Sequence, residues 1–343
     1  MPDIARREIL RAWSAEDAEV TLTETGLDWL PGSHRVRVQI GKNPETGSLP
    51  RYRITVSTDV LRAVPLHEQA FVETASLIAD TFCPTYAPVY PPDGRVQGQP
   101  NDLMFFASAY VDETTAPWLS GFLARMSILQ PFSAERLADD ISDQLGGGAP
   151  AYVTGSKRDK PNKLVLGVAS VIQSEGMAPS HWIDSDEFEF FIEDHARNDF
   201  CFGTADETGM TLETPFGSDS ALIRFRTDNE AFPPLGSGLA VETQMRPILA
   251  HREICKRAAW LNYLESTEWT DFPQLGRWYS RPVSEDQAFL AHSSFVPNMF
   301  YAEGLVTNFG LWALARAQWA KNILLPDAKN LTMREILDAR GRG

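Results

Sequence analysis

The chain has 343 residues, with 31 Lys and Arg against 46 Asp and Glu, a formal charge of −15 at pH 7. A hydrophobic content of 43% supplies ample material for a core, which excludes an intrinsically disordered chain. So acidic a sequence repels phosphates unless it carries a local basic face, which disfavours nucleic acid as a partner.

Charges interrupt the first ten residues, so no secretory signal is expected there. The longest smooth apolar stretch, 164–172, falls well short of the roughly 20 residues of a spanning helix, so no membrane partner is expected. Cys83, Cys201 and Cys255 are far apart and form no CxxC, which reads as reduced thiols in a cytoplasmic protein.

In chain order, a helix is expected over 4–13 and a strand over 19–23, ending at the turn Glu24-Thr25-Gly26. Residues 35–40 alternate strictly, a half-buried strand with Val36, Val38 and Ile40 inward. Residues 51–56 alternate again, with Tyr52, Ile54 and Val56 inward. Pro65 suits the first turn of a helix in which Phe71, Ala75, Ile78 and Phe82 form an amphipathic stripe. The Pro-rich run 84–92 stops that helix, and strands are expected over 87–90 and 103–111. Helical segments follow, broken at Pro131, with Ser133 as N-cap of the second. Gly146-Gly147-Gly148 reads as a flexible joint. A hairpin should follow, from Tyr152-Val153-Thr154 over a basic tip (Lys157, Arg158, Lys160, Lys163) to 164–172. Those few cations read as a solvated tip.

A second helix-led series begins at 186–196, where acidic residues interleave with Phe188, Phe190, Phe191 and Ile192. It reads as an amphipathic helix, since Glu189 stands where a calcium loop needs Gly. Ala221, Ile223 and Phe225 alternate with Leu222, Arg224 and Arg226. The turn 233–238 leads to Leu239, Val241, Thr243 and Met245, with Glu242, Gln244 and Arg246 on the other face. Ile254, Ala258 and Leu261 mark a helix, followed by strands near 277–281 and 288–295. A long helix runs over 303–325, and Thr332 with Glu335 forms a capping box for a short terminal helix.

The two series are copies of one unit. Glu24-Thr25-Gly26 recurs as Glu207-Thr208-Gly209; His67, Ala75 and Leu77 recur as His251, Ala259 and Leu261; Ser108, Tyr110 and Val111 recur as Ser293, Phe295 and Val296. The offsets are 183, 184 and 185, in the same order along the chain. The expected fold is α+β, two similar repeats in the order α-β-β-β-α-β-β-α. Each is an antiparallel sheet with helices on one face, the two related by a pseudo-two-fold. The expected boundaries are 1–145 for the first repeat, 146–183 for a linker with the hairpin, 184–325 for the second repeat and 326–343 for a tail helix.

No motif for chemistry stands out. Gly236-x-Gly238 lacks the third glycine of a dinucleotide loop and precedes a strand, so it reads as a turn. Gly146-Gly147-Gly148 is not followed by the Gly-Lys of a phosphate loop, and no G-x-S-x-G elbow occurs. His67 and His251 occupy equivalent places, which suggests a shared structural role. No catalytic residue, metal ligand or cofactor is therefore expected.

The element order resembles the type III secretion chaperone-like fold that YbjN-like bacterial proteins share. The segments carrying the resemblance are 35–40, 51–56 and 66–82, with 221–226, 239–245 and 252–264 in the second copy. The runs Arg226-Thr227-Asp228, Leu235-Gly236-Ser237-Gly238-Leu239, Phe295-Val296-Pro297-Asn298 and Arg316-Ala317-Gln318-Trp319 are also similar to a group of bacterial proteins of unassigned function. The resemblance implies a non-enzymatic, chaperone-like or regulatory module that holds a protein or peptide segment. It would be built as a fused pseudo-dimer, acting as a monomer or a homodimer. A structural subunit of a larger assembly, or an enzyme with an unrecognised site, are the alternatives. Trp is favoured at binding hot spots. The candidate partner-binding residues are Trp278, Trp312, Arg316 and Trp319, with Arg224, Arg226, Glu242 and Arg246 on the strands; an ion pair is the default role of Arg316.

Overall fold

The computed structural model describes residues 20–42, 52–65, 72, 74, 86–89, 100–112, 114–148, 186–196, 201–227, 237–268, 270, 272–301, 304–327 and 335. The first repeat contributes β1 (Val20–Leu22), β2 (Gly26–Trp29), β3 (Val36–Lys42), β4 (Tyr52–Pro65), β5 (Ala87–Val89), β6 (Pro100–Val111) and α1 (Ala116–Leu145). The second contributes α2 (Glu187–Ala196), β7 (Phe202–Asp206), β8 (Gly209–Phe216), β9 (Asp219–Arg226), β10 (Gly238–Ala250), α3 (His251–Thr267), β11 (Gly276–Pro282), β12 (Gln287–Pro297) and α4 (Leu305–Leu324).

Each repeat forms one six-stranded antiparallel sheet, ordered β1-β2-β3-β4-β6-β5 and β7-β8-β9-β10-β12-β11. Adding six to every strand number of the first sheet gives the second, so the chain is α+β with two repeats of one topology. The alternation read from the sequence sets the faces. Val36, Val38, Ile54 and Val56 are buried in the first sheet, and Ala221, Ile223, Phe225, Leu239, Val241 and Met245 in the second. α1 lies on β4 and β6; α3 covers β11 and β12, and α4 covers β8 to β10. One continuous apolar core runs through both repeats.

The Glu-Thr-Gly recurrence has a backbone cause. A Cβ on Gly26 would run into the Val38 carbonyl oxygen, and one on Gly209 into that of Phe225. Gly209 also takes a positive φ of 153°. In both copies the glycine opens the second strand, where it pairs with the third strand at Gln39 or Arg226.

The structure corrects four readings. The structure adds β2 in the first repeat, and β7 and β8 in the second, to the strands read from the sequence. β2 is only four residues long, and β7 is an edge strand with no buried residue and hence no apolar alternation. In β8 the alternation of Met210, Leu212 and Phe216 was masked by Pro215, which lies beyond the end of β7, where the ladder is open on that side. Pro65 does not open a helix but ends the 14-residue strand β4, paired with Pro100. Pro131 does not break a helix, because α1 is continuous over 30 residues and buries Leu119, Phe122, Leu129, Ala134 and Ile141 on both sides of it. That burial outweighs the roughly 3 kcal/mol cost of a proline in a helix interior. Gly146-Gly147-Gly148 is not a free joint. Gly146 and Gly147 have positive φ values of 74° and 100°, and Gly148 exchanges two backbone hydrogen bonds with Arg62 of β4. The first expected helix, the hairpin with its basic tip and His67 lie outside the described residues, as does all of the tail helix but Glu335, which is helical.

The repeats meet at named contacts. Beyond the end of β5, Ser108 N donates to Gln274 O at 3.0 Å, tying β6 to the segment that enters β11. The Arg53 guanidinium reaches the C-terminus of α3, where Nη2 donates to Glu265 O at 3.2 Å and Ser266 O at 3.0 Å. A cation there satisfies orphan carbonyls and matches the helix dipole. Arg53→Ala should therefore destabilise the chain by about 1–3 kcal/mol, read as a lower urea midpoint. An unchanged midpoint would show that the contact carries no stability.

Candidate functional site

The second repeat buries a cluster of polar groups between its sheet and helices α3 and α4. α3 is amphipathic, and its buried face carries Ile254, Ala258 and Leu261, then Asn262 and Glu265. α4 brings Arg316 to the same level, 5% exposed, and β11 brings Trp278, 2% exposed. The Glu265 carboxylate is 1% exposed; its Oε1 accepts from Trp278 Nε1 at 2.6 Å and from Arg316 Nε at 3.2 Å. Arg316 Nη2 donates to Pro273 O, and its guanidinium stacks 4.7 Å from the centre of the Phe272 ring. Asn262 clamps the outer edge of β11, accepting from Trp278 N at 2.8 Å and donating to Trp278 O at 3.0 Å. Gln274 Nε2 donates to Asn262 O at 3.1 Å.

His292 of β12 completes the cluster. It sits opposite both Trp278 and Thr243 in the sheet, with its ring 5.2 Å from Trp278 in an edge-on arrangement. Its Nε2 has no hydrogen-bond partner. Room for the imidazole exists because residue 276 is glycine; a Cβ there would lie 2.6 Å from His292 Cε1 and 2.9 Å from Nε2.

Electrostatics follow from burial. Desolvation pushes the Glu265 carboxyl up, opposed by Arg316 and by the Trp278 hydrogen bond. Desolvation also lowers Arg316, opposed by Glu265. His292 is held well below its ordinary value by burial first and by the Arg316 charge second, so it is neutral. The sign of the linkage is then set. Below about pH 6.5 the unfolded chain takes up a proton at this residue that the folded chain does not, so stability falls with pH by about 1.4 kcal/mol per unit. His292→Phe should flatten the fall in urea midpoint between neutral and mildly acidic pH. Identical slopes for the two proteins would refute this.

A small cavity of about 10 Å³, room for roughly one water molecule, lies beside the cluster, lined by Val241, Leu275 and Ser294 from the sheet side, Pro273, and Phe309, Trp312, Ala313 and Arg316 of α4. It lies next to the junction of the repeats, because Trp118 of α1 packs on Phe309 and Trp312, ring centres 6.0 and 6.2 Å away.

The first repeat serves as an internal comparison. With Ser108 matched to Ser293, His292 corresponds to Ala107 and its cross-strand partner Thr243 to Val56, itself opposite Ala107. One buried polar contact of that repeat is neutral: Thr58 Oγ1 donates to Gln130 Oε1 at 3.0 Å, and Gln130 Nε2 to Val56 O at 3.4 Å.

The candidates read from the sequence separate onto two faces. Trp278, Trp312, Arg316 and Trp319 gather around the cluster; Trp319 packs on Phe272 and its Nε1 donates to Glu268 Oε2 at 3.2 Å. Arg316 does form an ion pair. Arg224, Arg226, Glu242 and Arg246 lie on the opposite face of the sheet in a ladder of pairs. Glu242 pairs with Arg224 at 3.6 Å and with Arg281, Arg246 pairs with Glu213 at 3.2 Å, and Arg226 with Asp206 at 3.1 Å. Tyr279 donates to Glu242 there at 3.1 Å. Glu265, His292, Asn262 and Gln274 were not singled out from the sequence. His292 was findable as a polar residue on the apolar face of an alternating strand, and Glu265 as an acid in the buried stripe of α3.

No protein-family model, curated protein or solved structure matches the chain. Among the described residues no helix is long and apolar enough to cross a membrane.

Proposed function

We propose that the chain is a non-enzymatic binding module that holds a peptide or protein segment, chaperone-like or regulatory, with the surface around Trp312 as its seat. One observation carries this reading: a half-buried Trp312 lines the same small cavity as Arg316, whose ion pair with Glu265 is buried, next to the junction of the repeats. A buried ion pair costs desolvation and is weak support for stability. A role in recognition accounts for its retention. The position next to the inter-repeat junction is one that ligand sites favour. The resemblance to type III secretion chaperone-like proteins supports the same reading, which places the chain in the cytoplasm as a monomeric pseudo-dimer or a homodimer.

The test is binding of the purified full chain to an array of immobilised peptides of about 15 residues. A defined subset should be retained, and Trp312→Ala should weaken that binding at least about tenfold. Retention of no peptide above background, or full binding by Trp312→Ala, would overturn the reading.

A further inference from the structure

Two helices of the second repeat carry exposed aromatic side chains among charges of opposite sign. On α2, Phe188 and Phe191 are buried, while Phe190 is turned outward and 66% exposed. Asp194 lies one turn beyond Phe190, and Glu189 and Glu193 form the adjoining row; all three acids are exposed. On α3, Arg252, Lys256 and Trp260 follow one another at four-residue spacing, on the side away from the buried Ile254, Ala258 and Leu261. Trp260 is 51% exposed, and its ring lies 5.7 Å from that of Tyr263, so the two present one aromatic surface beside the cations. Arg257 pairs with Glu253 at 2.9 Å in the next row, which leaves this face of α3 net positive.

The two faces do not meet within one chain. α2 packs on β7, β8 and α4, whereas α3 packs on β11 and β12, with α4 over β8 to β10 between them. β7 and β11 are opposite ends of the sheet, five strand spacings or roughly 24 Å apart. A second copy can bring them together. In a chain of charge −15, copies repel one another unless they meet through a local contact of opposite sign. α2 against α3 is such a contact, with aromatic rings at its centre.

We infer that α2 of one copy docks on α3 of a second copy, Phe190 against Trp260 and Tyr263, and Glu189 and Glu193 against Arg252 and Lys256. A two-fold axis makes the contact twice and closes the pair into a dimer. The charges select the partner face and the rings supply the apolar centre. Of the two states proposed above, this selects the homodimer, and it does not depend on the peptide seat at Trp312.

The test is the mass of the full chain by sedimentation as its concentration is raised through the micromolar range. The mass should rise from that of one chain to that of two, and Phe190→Ala should raise the dissociation constant at least about tenfold. Two charge-reversed proteins then identify the faces. One carries Arg252→Glu with Lys256→Glu, the other Glu189→Lys with Glu193→Lys. Each alone should stay monomeric, because both of its contacts would oppose like charges. Their equimolar mixture should dimerise, because one contact is then native and the other is reversed on both sides. Near-ultraviolet circular dichroism matching the parent confirms the fold of each. A parent chain that keeps the mass of one chain throughout would overturn the inference. So would a dimer that persists in either reversed protein, or a mixture no heavier than its components. None of these results bears on the peptide array, so failure of the dimer leaves the binding reading to its own test.

Discussion

Arg316→Ala should unfold at a much lower urea concentration than the parent chain, a loss of about 3–5 kcal/mol. The reason lies in what remains. Glu265 is 1% exposed and keeps only the Trp278 indole as a neutral donor. Removing the cation leaves a carboxylate buried without a counter-charge, which must either stay ionised at high cost or take up a proton. Two further observations would confirm this cause. The loss in Arg316→Ala should shrink as pH is lowered toward the range where Glu265 protonates, because its burial-raised carboxyl then becomes neutral. Pairing Arg316→Met with Glu265→Gln should restore most of the stability, since glutamine still accepts from Trp278 and no charge is left buried. A single Arg316→Ala variant within about 1 kcal/mol of the parent would show that the pair behaves like a solvated surface bridge.

Gly209→Ala should cost about 2–4 kcal/mol, combining overpacking with strain at a positive φ. The new methyl would be driven into the Phe225 carbonyl on the neighbouring strand, and that contact is backbone, which cannot swing aside. Gly26→Ala should show a related loss in the first repeat, from the Val38 carbonyl alone. Gly41→Ala is the control, because a Cβ there meets nothing within 4 Å. It should be neutral to within about 0.5 kcal/mol. Equal urea midpoints for all three variants would refute the claim that close backbone approach is what keeps the Glu-Thr-Gly turns alike.

Much of the fold was legible because local periodicity reports burial directly. The alternation in 35–40, 221–226 and 239–245, and the stripe Ile254, Ala258, Leu261, are consequences of side chains facing a sheet or helix interface, and they appear at those positions. Where local rules conflicted with packing, packing prevailed. Pro131 sits inside α1 because the helix is held on both sides of it by buried residues. β7 was invisible because an edge strand with both faces partly wet needs no apolar alternation.

The site was less legible for a related reason. Trp278, Trp312, Arg316 and Trp319 stood out by residue type, but the partner that gives Arg316 its role, Glu265, lies 51 positions away on another helix. Arg224, Arg226, Glu242 and Arg246 looked similar in sequence and proved to be a ladder of ion pairs on the opposite face of the sheet.

The length and the charge of −15 are properties of the chain alone. So is the duplication, because equivalent turns and strands impose equivalent residues at a near-constant spacing. Only the tertiary structure decided that the two copies differ where it matters most. Strand register and helix packing set His292, Trp278, Glu265 and Arg316 together in one copy, and leave Val56 and Ala107 at the matching strand positions of the other. Proximity between residues far apart in sequence is fixed by how sheets and helices pack, and no local pattern encodes it.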